Sequence, residues 1–517
     1  MTKIEYLSYS KPKRIALKFV NFFASIPAKL GKKFRKVPSF VRKVGKFFVS
    51  PFITLKDALV HGDWKTRLSF LVMGFGHVTR HQIIRGILYF IYEVVFIAFF
   101  IMFGLNQLIN LPTLGQLTIV THYKPSTIPG LPGVYAPVYY DYSINILIYA
   151  IFTILLTIIF VVLWYSQIKD SLKMQREGYI GFIHSDKVTL KNVLDKSYHK
   201  TLLTIPMAGL VLLTILPIVI TIIIGFTSYD SYHEQPTALV DWVGFQNFGT
   251  ILSMGSSANN TLVIQTFGQV VLWTLVWAIF ATFSNYFLGM AVAILINSKI
   301  VKLKKLWRTI LITTIAVPQF ISLMLINRMF NEDLGIVNSI LSVMAKHVVH
   351  VRWLSDPIIT KIFIIVANTW VGIPYTMLIS SGILMNIPED LYESARIDGA
   401  SPFKTFAKIT LPYMLFVTGP YLISQFVGNI NNFNVIYLLS GGNPLFTFGT
   451  QLRPDILQGV GQTDLLITWI YKLTFTNTPA LYSTASVLGI FIFAIVAVIS
   501  LIFYGNSNAV KNEEDFQ

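Results

Sequence analysis

The chain has 517 residues, 54% of them hydrophobic and 13% charged, with a mean hydropathy of +0.62. That balance excludes an ordinary soluble domain and predicts a polytopic helical membrane protein. Cysteine is absent, which excludes disulfides, thiol chemistry and Cys-ligated metal. The net charge of +17 suggests nucleic acid only until its distribution is read.

Residues 1–81 hold seventeen Lys/Arg against Glu5, Asp57 and Asp63, so most of the excess charge lies there. Between Lys11 and Lys46 the cations interleave with apolar residues, as in Lys32-Lys33-Phe34-Arg35-Lys36-Val37. Two readings stay open: basic amphipathic helices on an anionic lipid bilayer surface, or a solvated basic tail. No stacking platform or nucleic-acid motif accompanies the charge, so nucleic acid is not an expected partner. No cleavable signal peptide is apparent, because the first long apolar run starts after residue 80.

Eight apolar segments follow, near 83–105, 143–165, 202–226, 264–297, 307–329, 360–385, 411–439 and 483–505. Each can cross about 30 Å of hydrocarbon at about 1.5 Å per residue. The fourth and seventh exceed a single crossing, with room to tilt, break or extend. Glu93, an acid inside the first segment, is expected to make a structural or partner contact. Gly372-Ile-Pro374 is predicted to interrupt the sixth segment, because proline removes a backbone donor and favours a kink. Pro318 in the fifth is a similar, weaker signal. Alternate loops carry 32 Lys/Arg on one side and 5 on the other. The excess predicts that both termini and the loop after the sixth segment face the cytoplasm.

That loop, residues 386–412, is a polar island between apolar runs. Pro388 suits a first helical position, and Glu389 and Asp390 place negative charge at the positive end of the helix dipole. Gly399 is a stop just past the helix end. Ser401 can cap a second helix opening at Pro402. Leu391, Ala395 and Ile397 are predicted to form a small apolar face.

Asn429, Asn431, Asn432 and Asn434 crowd the end of the seventh segment. An amide in hydrocarbon costs a few kcal/mol unless bonded. They can serve a sugar site, with Phe433, Tyr437, Tyr375 and Trp370 supplying aromatic faces, or they can bond helix to helix or cap a fraying end. His347 and His350, three apart, lack an acid to complete a metal site and read as a solvated pair. No metal or cofactor is expected. There is no GxxxxGK[ST] loop and no nucleophile–base constellation, so the chain is not expected to bind ATP in the P-loop manner by itself or to be an enzyme.

The order Glu393-Ser394-Ala395, Gly399, Ile409, Leu411, Pro412 resembles the "EAA" loop of ABC importer membrane subunits. Ser394 replaces a second alanine. The resemblance implies an all-α type I (MetI-like) permease core and an ATPase docked on those residues. Three further stretches resemble the MalF-type subunit of maltose/maltodextrin importers: Asn368-Thr-Trp-Val-Gly-Ile-Pro-Tyr375, Asn429-Ile-Asn-Asn-Phe-Asn-Val-Ile-Tyr-Leu-Leu-Ser-Gly-Gly-Asn-Pro444 and Thr463-Asp-Leu-Leu-Ile-Thr-Trp-Ile-Tyr471. By that likeness, substrate is held at Gly372, Tyr375, Asn429 and Asn432, while Gln425 and Gly428 depart from the family's characterised member. Glu93 falls outside the family's six-helix core.

The implied organisation is a basic region 1–82, two accessory transmembrane helices in 83–201, a permease core over 202–505 (strongest over 263–505) and a tail 506–517. The implied partners are a second homologous permease, an ABC ATPase dimer, an extracellular sugar-binding protein and an oligosaccharide. The nearest alternative is an importer of another oligosaccharide or of a glycerol phosphate. An ion-driven secondary transporter fits less well, because paired intramembrane acids are missing.

Overall fold

A computed structural model describes residues 37–116, 120–126, 129–138, 141–181, 185–186, 198–233, 239–252, 258–298, 300–447 and 455–506. The expectations for residues 1–36 and for the tail after 506 lie outside these. The chain divides into two compact units. One is Met1–Pro112 with Ile148–Thr214, the other Thr113–Leu147 with Ile215–Gln517.

In the first unit, α1 (Val37–Val60) is a helix that covers the end of the cation-rich stretch. The next long helix, α2 (Ile83–Phe99), extends through a π turn to Asn110. The third, α3 (Ser143–Gly178), overruns the predicted 143–165 segment. Its extra turns are amphipathic. Ile168 and Leu172 pack on Ala58. Gln167, Ser171 and Gln175, spaced by four, present one polar edge. Gln167 donates to the Ser69 carbonyl at 2.6 Å, and Gln175 accepts from the Asp63 N–H at 2.9 Å. Arg80 reaches both Asp63 oxygens and the Ser171 hydroxyl. Burial pushes the Asp63 carboxyl up, but its Thr66 and Arg80 bonds outweigh this and leave it below the ordinary value. Glu93 has the structural role expected: it is buried, and its carboxylate accepts the Met73 N–H at 2.8 Å.

The second unit includes an antiparallel ribbon, β1 (Val120–Lys124) on β2 (Val134–Val138), in register from Val120↔Val138 to Lys124↔Val134. Its axis is α4 (Ala258–Asn297), apolar on every side and so suited to a central position. One stretch of α4 packs Val263, Val270 and Ala278 against Trp469 and Leu488. Another packs Trp273, Trp277 and Ala281 against Ile364 and Val435. Tyr286 and Met290 meet Met414. Around it lie α5 (Lys304–Ile315), α6 (Gln319–Met329), α7 (Pro357–Leu384), α8 (Glu389–Ile397), α9 (Leu411–Ile430), α10 (Phe433–Leu439), α11 (Leu466–Tyr471) and α12 (Tyr482–Asn506).

Among the described residues, seven helices are long and apolar enough to cross a membrane, or eight if the bent α5–α6 pair is one span. The chain is thus a multi-pass helical membrane protein. Two sequence expectations need correction. Pro374 does not interrupt α7, which is continuous from Pro357 to Leu384. There α7 is clasped to α4: the Thr376 hydroxyl donates to the Asn285 carbonyl at 2.8 Å and lies near its own helix's Gly372 carbonyl at 3.2 Å. Packing against a neighbouring helix can carry a membrane helix through proline in this way. Pro318, judged the weaker signal, marks the sharper break, with α5 and α6 bent by 87°. Proline disfavours helix at the preceding residue and cannot donate back into the turn. The seventh segment, left free to tilt, break or extend, breaks: it is not one helix from 411 to 439. It starts at Pro402, ends at Ile430, turns at Asn431-Asn432 and resumes as α10.

Candidate functional site

The 386–412 loop folds as helix, turn, helix. Pro388 is the cap of α8 rather than its first residue, and Glu389 and Asp390 open the first turn. Gly399 has φ +66°, the left-handed value that favours glycine. Around it the Gly399 N–H donates to the Arg396 carbonyl at 3.0 Å and the Ala400 N–H to the Ala395 carbonyl at 2.9 Å. These two bonds form a Schellman stop. Ser401 then accepts the Lys404 N–H at 3.4 Å, as a helix cap should, with Pro402 next. The helix entered at Pro402 passes through a π turn, Phe406–Thr410, directly into α9. The second arm of the loop is thus continuous with a membrane-crossing helix, and α8 joins it through the Gly399–Ser401 turn.

Glu393, Ser394, Gly399 and Pro412 are exposed, Ile409 is half-buried, and Leu411 packs beside Met414. Ala395 is buried, but Leu391 and Ile397 are exposed, Ile397 by 86%, so the expected packed face shrinks to Ala395. Tyr392 ties the two arms, its hydroxyl 3.0 Å from that of Thr410. An exposed Ile397 and Phe403 beside exposed carboxylates make a surface suited to a protein partner.

The second group of expected residues lies at the other end of α9. Asn429 is 8% exposed and donates to the Thr282 hydroxyl of α4 at 2.9 Å. Asn432 donates to the Asn429 side-chain oxygen at 3.3 Å and accepts the Val435 N–H at 3.3 Å, capping α10. The Trp277 indole N–H fixes the Asn429 carbonyl at 3.0 Å. Asn431 donates to the Val427 carbonyl at 3.3 Å. Asn429 thus bonds α9 to α4, and Asn432 caps α10. Gly372 sits against α4 so closely that a Cβ there would lie 2.5 Å from the Asn285 side-chain oxygen. Tyr375 is 52% exposed. Among the described residues, no hydrogen bond or ring contact joins it to the Asn429–Asn432 pair.

What relates Gly372 and Asn429 is α4. Thr282 and Asn285 lie three apart on one face of it, touching Asn429 and Gly372 respectively. Both α4 residues escaped the sequence reading. The available signal was Ser284-Asn285 in the middle of an apolar run. The buried Asn285 side-chain oxygen and Asn368 side-chain nitrogen have no hydrogen-bond partner among the described residues. Unmet amide groups beside Gly372 and one turn before it are chemically suited to a hydroxyl-bearing solute.

Past the turn, the Phe433 and Tyr437 rings stack at 4.8 Å, and both meet Tyr471 of α11, at 4.8 and 5.1 Å. The loop behind Tyr471 closes on a buried ion pair, Lys472 with Asp464 at 2.7 Å. Asp464 also accepts the Gly461 N–H at 2.7 Å and the Thr468 hydroxyl at 2.9 Å. Burial lifts the Asp464 carboxyl above its ordinary value, and these partners oppose that. Gly442, at φ +88°, explains the second glycine of Ser440-Gly-Gly-Asn443: a Cβ there would lie 2.2 Å from the Asp464 carboxylate. His350 lies 3.3 Å from Asp333, a partner not evident from sequence, but no group of three metal-binding side chains exists among the described residues.

Residues 285–509 match the family of binding-protein-dependent transport system inner membrane components. A maltodextrin transport system permease of Bacillus subtilis is 35% identical over 87% of this chain and 97% of its own length. The chain belongs to the MalF-type sugar permease family of ABC importers. A maltodextrin permease of Streptococcus pneumoniae is 32% identical over 87% of this chain and 97% of its own. A galactooligosaccharide permease of Bacillus subtilis is 32% identical over 86% and 97%. This permease is thus a transport component rather than an enzyme. The matched region contains α7, the 386–412 loop, α9 and all of α12, but only the end of α4.

Proposed function

We propose that this permease passes a maltodextrin-type oligosaccharide through the membrane as one half of a pair with a second, homologous permease. Two ATPase subunits supply the energy, and an extracellular sugar-binding protein delivers the substrate. Both termini face the cytoplasm in this reading, on the strength of the Lys/Arg asymmetry. ATP closes the ATPase dimer against Glu393, Ser394, Ala395, Gly399, Ile409, Leu411 and Pro412, and the push reaches α9. At its far end α9 carries Asn429, with Asn432 on the turn just beyond, and these with Gly372, Tyr375, Phe433 and Tyr437 contact the sugar. The observation that carries the mechanism is the helical continuity from Pro402 to Ile430, which links the loop to the amides. The domain organisation expected from sequence, with a core over 202–505, is retained.

Two substitutions test it in whole cells. Glu393→Lys should abolish uptake and detach the ATPase while membrane insertion stays normal; unchanged uptake defeats the docking assignment. Asn429→Leu with Asn432→Leu should cut uptake and leave ATPase attachment intact. Full uptake by that double variant removes the substrate assignment. A second reading, a galactose-containing oligosaccharide, is favoured by the 32% identical galactooligosaccharide permease. Competition between labelled glucans and galactans in one uptake assay decides between them.

A further inference from the structure

Four aromatic rings outside the membrane-crossing helices touch one another: Phe433 and Tyr437 on α10, Tyr471 at the end of α11, and Phe475. Tyr471 and Phe475 lie 5.1 Å apart. They are four residues apart on the π turn Lys472–Thr476 that continues α11. Irregular turns of this kind often mark functional sites. Phe475 is 77% exposed, so its apolar surface is not used to hold the fold. Yet the backbone beneath it is fixed. Lys472 is locked by Asp464 and by the Gly459 carbonyl at 2.8 Å. Leu473 and Trp469 are fully buried, and the Trp469 indole N–H donates to the Ile456 carbonyl at 3.0 Å. The exposed side chains of Asn431 and Asn434 lie on the neighbouring turn and α10.

From this arrangement we infer that Tyr437, Tyr471 and Phe475 form a stacking platform for the pyranose rings of an oligosaccharide. It is a subsite beyond the amides of α9, and it rests on reading this chain as an oligosaccharide permease. A pyranose offers an apolar C–H face ringed by hydroxyls. Rigid aromatic rings edged with phenol hydroxyls and amides complement both features. The paired hydroxyls of Tyr437 and Tyr471 and the exposed Asn431 and Asn434 side chains add polar groups to this aromatic surface, as a hydroxyl-rich ring requires. The rings lie between the span ending at Ile430 and the one starting at Tyr482, so a long chain can rest here while one end enters the membrane region.

The test uses the complete transporter in proteoliposomes, with its ATPase and sugar-binding protein, and linear glucans from disaccharide to heptasaccharide. Phe475→Leu and Tyr471→Leu keep apolar volume but remove the ring face. A lost stacking contact of this kind corresponds to a change of up to about tenfold in apparent affinity. The half-saturating concentration should therefore rise about fivefold to tenfold for the heptasaccharide and less than about twofold for the disaccharide. Phe475→Trp should restore the parent value. Equal values at every chain length overturn the platform. So does loss of the second permease or the binding protein from the purified complex, which would make the rings a subunit contact. The variant carrying Asn429→Leu and Asn432→Leu is run alongside. If it alone loses uptake, the platform fails and the permease reading stands; if it keeps full uptake, the reading itself fails.

Discussion

Replacing Asp464 by asparagine isolates one buried charge. In the parent, Asp464 is fully buried and the Lys472 side chain is 10% exposed, with 2.7 Å between nitrogen and oxygen. Asparagine keeps an acceptor for the Gly461 N–H but removes the negative charge. Lys472 is then left with neutral acceptors alone, that same side-chain oxygen and the Gly459 carbonyl at 2.8 Å, and with no counter-charge. An uncompensated buried charge costs about 3–5 kcal/mol. Adding Lys472→Met removes the stranded charge with a side chain of similar length. What remains unmet is chiefly the Gly459 carbonyl, about 1–3 kcal/mol. Asp464→Asn should therefore be strongly destabilised, and the double variant should recover to within about 2 kcal/mol of the parent. Reversible denaturation of the purified protein in micelles, run as a double-mutant cycle, measures both. A single variant that loses less than about 1 kcal/mol, or a double variant equal to the sum of the singles, would refute the ion pair as the clasp of this loop.

Gly442→Ala should disturb the same clasp, because φ +88° is unfavourable for alanine and its methyl would overlap the Asp464 carboxylate. A loss of about 3 kcal/mol is expected, with limited proteolysis cutting first between residues 440 and 476. Gly289→Val places a side chain where a Cβ already lies 2.0 Å from the Thr376 hydroxyl. The α4–α7 crossing must widen, at about 1–3 kcal/mol or more, seen as a lowered denaturation midpoint. His77 is buried beside Tyr89, and burial, aided by Arg85 and Arg80, lowers its pKa to about 3. Because the folded value lies below the unfolded 6.5, His77 contributes stability above pH 6.5 that is lost as the pH falls towards 3. Between neutral pH and 5 the loss should be about 2 kcal/mol. Thermal melts of the purified protein should show a smaller pH slope in His77→Phe.

The 386–412 loop was legible because its instructions are local. Gly399, Ser401 and Pro402 each set backbone geometry within a few residues, and the observed stop and cap follow them. The number of membrane crossings was legible for the same reason, since hydrocarbon thickness fixes the length of an apolar run. Proline ranking failed. The penalty of a missing N–H depends on what packs beside it, and α4 braces Pro374 while Pro318 turns the chain.

Composition and local pattern by themselves determined a multi-pass helical protein, the lean towards one side of its positive charge, and the helix–turn–helix of its polar loop. Tertiary structure alone decided that α4 is the axis, that Thr282 and Asn285 gather Asn429 and Gly372, and that Tyr471 joins Phe433 and Tyr437. The reason is one of range. Helix length, caps and turns are settled between neighbours in sequence. Pairs such as Thr282 with Asn429, 147 residues apart, exist only after helices have chosen which faces to bury.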